Sequence, residues 1–158
     1  MNEITGDICS HEKGELLSRL LGNYSRLSQE LNSRMSKELS LSLAKYEVML
    51  TIDRSPSGEM TMSNLSRELM VSNANMTGMT SRLLSDGYVE KKVLPADRRV
   101  YSVALTGKGR NILKAAHKKH GNWTRELMDC FAEEEVELMN GFLDKMEKQT
   151  DCFSKEGR

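Results

Sequence analysis

Hydrophobic positions along this chain recur with a helical spacing, switch to a strand spacing, and then return to the helical one. Leu17, Leu20, Tyr24, Leu27 and Leu31 repeat at 3-4-3-4 and predict a helix beginning at His11, with Met1 to Ser10 as a loose arm. Ser36 to Ser42 reads as a polar break anchored by Leu39, Leu41 and Leu43. Ala44 to Arg54 predicts the next helix, with Tyr46, Met49, Leu50 and Asp53 along its apolar edge. Ser55-Pro56-Ser57-Gly58 stops it, and Glu59-Met60-Thr61 is expected as a short strand. Thr61 to Leu69 then predicts a short helix, with Leu65 and Leu69 one turn apart. Ser72 opens another by capping its first turn. In that helix Met76, Met79 and Leu83 share one face, while Asn75, Gly78, Ser81, Arg82 and Ser85 fall on others. Asp86-Gly87 ends it, Gly87 being free to turn left-handed.

The period changes after Gly87. Tyr88 to Leu94 and Val100 to Leu105 are rich in β-branched and aromatic residues, and Tyr101, Val103 and Leu105 alternate onto one face. Pro95 to Arg99 joins the two runs as a hairpin loop with Arg98 and Arg99 at its tip. Thr106 caps a helix expected from about Gly109 to Phe131, kinked at Gly121-Asn122. Its apolar points are Ile112, Leu113, Ala116, Trp123, Leu127 and Phe131. A last helix starts at Ala132, where Glu133, Glu134 and Glu135 suit the positive end of the helix dipole. Val136, Met139, Leu143, Met146 and Phe153 form a second apolar seam along it.

Two short helices joined by a tight turn match the helix-turn-helix plan, in which the second helix lies in the major groove. The residues off the packed stripe suit that role. Asn75 can make two bonds to an adenine edge and Arg82 two to guanine; Asn73, Ala74, Thr77 and Gly78 allow close approach. From this segment alone, a solvated surface helix fits equally well. Arg98 and Arg99 on a hairpin tip suit the electronegative minor groove or phosphate, and Asp97 can orient one guanidinium.

The succession ANMTGMTSRLLSDGYV, PADRR and VALTGKG resembles the winged-helix core of the MarR family of bacterial transcription regulators. The residues that carry the resemblance are Val71-Ser72, Thr77, Leu83 with Gly87, Asp97-Arg98-Arg99, and Leu105-Thr106-Gly107-Lys108-Gly109. It spans roughly half the chain. It implies a mainly α fold with a small antiparallel β-wing, a winged helix-turn-helix flanked by dimerisation helices. Residues 1–158 would form a single domain, with the DNA-binding core at 41–110 and dimerisation helices at 11–35 and 111–158. The ends would intertwine into a homodimer, presenting two reading heads to an inverted-repeat DNA operator. Ser63 and Lys108 would then meet the phosphate backbone. A repressor released by a small-molecule effector is the expected mode, and the effector would shift the population between two spacings of the heads. Its pocket is expected near Tyr24, Tyr46, Met49 and Trp123, although ordinary core explains these four as well.

Composition adds limits. The 158 residues are long enough for a sizeable core, and 11 Met can fill its gaps. Net charge is zero, yet Thr61 to Arg110 holds eight cations against four anions, so the surplus lies where DNA contact is expected. A polar N-terminus and the lack of a long apolar run predict a cytoplasmic protein without a membrane span. The chain lacks the motifs of a serine hydrolase, zinc protease or P-loop, since Gly107-Lys108-Gly109-Arg110 has no Gly-Lys-Ser/Thr ending. No enzyme activity, cofactor or metal is therefore expected. Two sensing alternatives stay open within the same fold. His117 and His120 lie one turn apart and can share a metal with Cys9 and His11, though Lys118 and Lys119 favour solvent-facing histidines. Cys9 can serve as a thiol switch, with Cys130 and Cys152 placed on helices, buried or peripheral. The rival from another class is a protein-interaction module using the winged fold as a dimer scaffold.

Overall fold

The computed structural model describes residues 3–94 and 97–156, and side chains over 11–92 and 101–153. Two compact units divide the chain, Met1–His120 and Gly121–Arg158. The first contains helix α1 (Glu3–Leu39), α2 (Leu43–Arg54), strand β1 (Glu59–Thr61), α3 (Met62–Glu68), α4 (Asn73–Ser85), β2 (Val89–Leu94) and β3 (Asp97–Leu105). Helix α5 (Gly107–Met128) starts in it and ends in the second unit, which also holds α6 (Glu133–Glu156). The mainly helical fold with a small antiparallel sheet is the expected class.

Helix α1 corrects the expected loose arm, because it starts at Glu3 rather than His11. It also absorbs Ser36, Lys37 and Glu38, so the polar break shrinks to Ser40–Ser42. Ser40 turns left-handed there (φ 52°), and the buried Leu41 plugs the corner. Ser42 caps α2 by accepting from the Lys45 amide at 3.3 Å, and Asn32 Oδ1 accepts from the Leu43 amide at 2.9 Å. Helix α2 buries Tyr46, Val48, Met49 and Ile52. The expected edge was too narrow: Leu50 is half-buried and Asp53 exposed, while Val48 and Ile52 face inward. The helix is covered over a wide arc, and a single stripe does not capture that.

β1 pairs with β3, and β3 with β2, all antiparallel, in the order β1-β3-β2. The third strand is the one expected at Glu59-Met60-Thr61. Central strand β3 buries Ser102 and Ala104 as well as Val103 and Leu105. Alternation therefore identified the strand but missed that both of its faces are covered near its end.

Helices α3 and α4 form the helix-turn-helix. Thr61 Oγ1 caps α3 through the Asn64 amide at 3.3 Å, and Ser72 Oγ caps α4 through the Asn75 amide at 3.2 Å. Leu65 on α3 and Met76 and Leu83 on α4 are fully buried, each worth about 1.5–3 kcal/mol. Thr80 is buried beside them, whereas Met79, expected inside, is half-buried. Asp86 caps the C-terminus of α4 and Gly87 follows at φ 71°.

Helix α5 begins two residues before the expected Gly109 and ends at Met128, three short of Phe131. It passes through Gly121-Asn122 in helical conformation. In the second unit the Ala132 amide donates to Glu135 Oε2 at 2.9 Å, which closes the start of α6. Cys130 lies in the turn before α6 rather than on a helix, and both Cys130 and Cys152 are exposed thiols, not buried ones.

Candidate nucleic-acid interface

Helix α4 has two chemically distinct sides. Met76, Thr80 and Leu83 point into the first unit, while Asn73, Ala74, Asn75, Thr77, Gly78, Ser81, Arg82 and Ser85 are all exposed. The expected groove residues thus occupy one continuous solvent-facing surface. Thr77 Oγ1 donates to the Asn73 carbonyl at 2.8 Å, so its methyl group is the freer part of the side chain. No ion pair holds the Arg82 guanidinium among the described residues. Ser63 is exposed in the first turn of α3.

The cations of the basic segment are mostly tethered. Arg67 donates to Asn64 Oδ1, and Arg110 Nη1 to the Leu105 carbonyl at 2.8 Å. Lys91 sits over the Tyr101 ring at 4.4 Å, and Lys92 pairs with Glu59 at 3.5 Å. Lys108 Nζ donates to the Asp86 carbonyl at 2.7 Å and lies 5.0 Å from the Tyr88 ring centre, while its side chain stays exposed. These contacts hold the cations in place along the surface instead of leaving them loose.

The hairpin differs from the expected loop. Asp97, Arg98 and Arg99 belong to strand β3, and Leu94 pairs with Asp97. Val93 pairs with Tyr101, so Arg98, Arg99 and Val100 form an extra segment that β2 does not match. A bulge of this kind locally raises the twist of the strand. Pro95 and Ala96 lie outside the described residues, as do the side chains of Asp97, Arg98 and Arg99. The expected Asp97–guanidinium pair and the direction of the wing arginines therefore fall there too.

Several polar positions near α4 carry structure that periodicity gave no hint of. Asp86 Oδ2 accepts from Lys45 Nζ at 2.5 Å, which joins the end of α4 to the start of α2. Thr106 Oγ1 donates to the Gly87 carbonyl at 2.7 Å and accepts from the Gly109 amide at 3.0 Å. Gly109 is required by packing, because a Cβ there would lie 2.0 Å from the Tyr88 carbonyl oxygen. The hydroxyls of Ser66 and Thr80 are buried without a hydrogen-bond partner.

The expected effector residues differ in exposure. Met49 is fully buried, Tyr46 is 3% exposed, Tyr24 is 69% exposed on α1, and Trp123 belongs to the second unit. A concavity of about 590 Å³ in the first unit is lined by Tyr88, Lys108, Asn111, Ile112 and Ala115. His117 is exposed, as its neighbouring lysines suggested, whereas His120 is half-buried. His117 Nδ1 bonds to the Tyr46 hydroxyl at 2.9 Å, and the His120 ring stacks on Tyr46 at 5.1 Å. Burial, then the nearby His117, lowers the His120 pKa below its ordinary 6.5. Burial raises Tyr46 above 10.0 and Glu47 above 4.5. No group of three or more potential metal ligands occurs among the described residues, and the Cys9 side chain lies outside them. No described helix is long and apolar enough to cross a membrane.

Comparison with known proteins places this geometry in context. Residues 41–101, which contain α2 through the start of β3, match the MarR family model. The HTH-type transcriptional regulator PecS of Dickeya dadantii is 25% identical over 133 residues, covering 82% of this chain and 80% of that protein. The transcriptional repressor MprA of Escherichia coli (strain K12) is 22% identical, covering 90% and 81%. Among solved structures, a mutant of MarR from E. coli complexed with operator DNA superposes with a TM-score of 0.74 at 29% identity, covering 82% of this chain and 92% of that one.

Proposed function

Because this chain belongs to the MarR family of transcription regulators, we propose that it binds an operator in double-stranded DNA as a homodimer, with α4 in the major groove. The observation that carries this reading is the exposed side of α4. A helix capped at both ends presents Asn73, Asn75, Thr77, Gly78 and Arg82 together, while its opposite side is buried. Asn and Arg are the side chains suited to paired bonds with adenine and guanine edges, and Ala74 and Gly78 leave room for the backbone to approach. The solved relative in complex with operator DNA supports the same assignment. In this reading the wing arginines Arg98 and Arg99 reach the flanking minor groove or phosphates, with Asp97 orienting them, and Ser63 and Lys108 meet the backbone.

Dimerisation is supported by apolar surface that each unit leaves uncovered. On α1, Leu17, Leu20, Tyr24 and Leu27 are exposed; on α6, Leu143, Met146 and Phe153 are. Rows of large apolar side chains at helical spacing mark interaction surfaces. A symmetric dimer carries two copies of α4 and calls for two half-sites about one turn of DNA apart, hence an inverted repeat. Such a dimer seated over a promoter excludes polymerase, so we assign repression, as in the named repressor among the relatives. A small effector that favours one spacing of the two heads would release it.

Fluorescence anisotropy with the duplex upstream of the protein's own gene tests the proposal against random duplex of equal length. Tight binding at moderate salt, falling steeply as salt rises, is the expected result. Equal affinity for both duplexes would overturn sequence-specific regulation and favour a protein-interaction role for the fold.

A further inference from the structure

The end of α4 is fastened on two sides, and the two fastenings meet at one residue. On the α2 side, Asp86 Oδ2 accepts from Lys45 Nζ at 2.5 Å, with the two side chains 36% and 21% exposed. On the α5 side, the Asp86 carbonyl accepts from Lys108 Nζ at 2.7 Å, and the next carbonyl, of Gly87, accepts from Thr106 Oγ1 at 2.7 Å. The following carbonyl, of Tyr88, accepts from the Thr106 amide at 3.0 Å. Three successive carbonyls past the end of α4 are thus held by the residues that open α5. At the other end of α4, Ser72 caps the helix, and the Val71 amide just before it donates to the Ser66 carbonyl of α3 at 3.0 Å.

We propose that Asp86 and Lys45 are positioning residues that set the angle at which α4 meets DNA. This rests on the DNA-reading role of α4 argued above. The mechanical reason is leverage. Thirteen residues of helix are about 20 Å long, so a tilt of about 3° about the Asp86 end moves Asn73 by about 1 Å. A displacement of that size takes a bidentate hydrogen bond out of its range, whereas a phosphate contact made by a long side chain absorbs it. The Lys45–Asp86 pair therefore governs discrimination between sequences more than general affinity for DNA. Its partial burial shields it from salt better than a surface pair.

The test is a double-mutant cycle on the full-length protein with Lys45→Met and Asp86→Asn, which keep the side-chain volumes. Affinity is read for the best-bound duplex and for random duplex, and Lys45→Arg serves as the conservative variant. Each single variant is expected to lose about tenfold in the ratio of specific to random binding, with the double variant no worse than either single. Affinity for random duplex should stay within about twofold of wild type. Lys45→Arg should restore the ratio. Loss of affinity for both duplexes alike, additive losses, or an unchanged ratio would each overturn the proposal. Amide hydrogen exchange keeps the test independent of the DNA assignment. The clamp predicts faster exchange of the Asp86, Gly87 and Tyr88 amides in Lys45→Met, and unchanged exchange there contradicts it. Wild-type protein that does not distinguish the duplexes overturns the regulatory reading, while the exchange result still decides whether the clamp exists.

Discussion

Single residues show where a local rule is set by its surroundings. Gly109 looks like part of a weak phosphate-loop imitation, yet its role is steric, since the Tyr88 carbonyl occupies the space a Cβ would take. Gly109→Ala should lower the melting temperature by several degrees, an expected cost of about 1–3 kcal/mol for forced overpacking, measurable by calorimetry. A melting temperature unchanged within a degree would contradict the close approach. Lys118 and Lys119 suggest solvent-facing histidines, and His117 is exposed, yet a helical turn sets its Nδ1 and the half-buried His120 ring against Tyr46, with Lys119 paired to Glu38. Such long-range neighbours are invisible in local spacing. The pH consequence follows from the direction of each shift. His120 has a folded pKa below 6.5, so the unfolded chain takes up the proton first, and stability is full above 6.5 and falls as pH drops through the folded value. Glu47 has a folded pKa above 4.5, so the folded chain protonates first and gains stability as pH falls towards 4.5. Urea midpoints measured between pH 7.5 and 4.5, a range of about three units around the ordinary histidine pKa, should fall below 6.5 and flatten near the lower end. His120→Gln should remove the upper slope; an unchanged slope would assign it to other groups.

At the scale of elements, most of the helix-turn-helix was legible because its signals are local. Ser72 is the expected cap, Asp86-Gly87 is the stop, and the Gly87 φ of 71° is the conformation glycine adopts freely. The polar positions expected on the outer side of α4 are outside. What was not legible depended on partners distant in sequence. Thr80 replaces Met79 in the core, and β3 buries both faces, because neighbouring elements cover them. Asp97 to Arg99 enter strand β3, where turn chemistry around Pro95 suggested a loop, and Arg98 to Val100 are left unmatched by β2. Loss of the α4 cap offers a test of the element as a unit. Ser72→Ala should destabilise the protein by about 1 kcal/mol and weaken DNA binding in proportion to the folded fraction. The wing gives a contrasting expectation. Arg98→Ala with Arg99→Ala should weaken binding to all duplexes and reduce the dependence on salt by about one to two phosphate contacts. An unchanged salt slope would remove those two arginines from the interface.

For the whole molecule, two apolar rows far apart in sequence, one on α1 and one on α6, were predicted by spacing and are exposed in their respective units. Pairing two chains is the simplest way to cover them, since scattered single apolar residues are normal but continuous rows are not. Light scattering should therefore give twice the chain mass at micromolar concentration. Leu20→Glu with Leu27→Glu should give a monomer that loses operator affinity much more than random-duplex affinity, because the two half-sites are then read separately. A dimer that survives this change would move the contact elsewhere. Neither effector nor operator could be read from the chain, since no convergent set of polar residues marks what a pocket would hold, and operator bases leave no imprint on local spacing.

The most direct measurement is the base-preference profile obtained by selecting bound duplexes from a randomised pool, compared for wild type, Asn75→Ala and Arg82→Ala. Wild type should select an inverted repeat, and each variant should relax preference at one symmetric pair of positions, an expected loss of about 1–3 kcal/mol of discrimination per base contact. Three identical profiles, or a wild-type profile with no repeat, would mean that the exposed side of α4 does not read DNA.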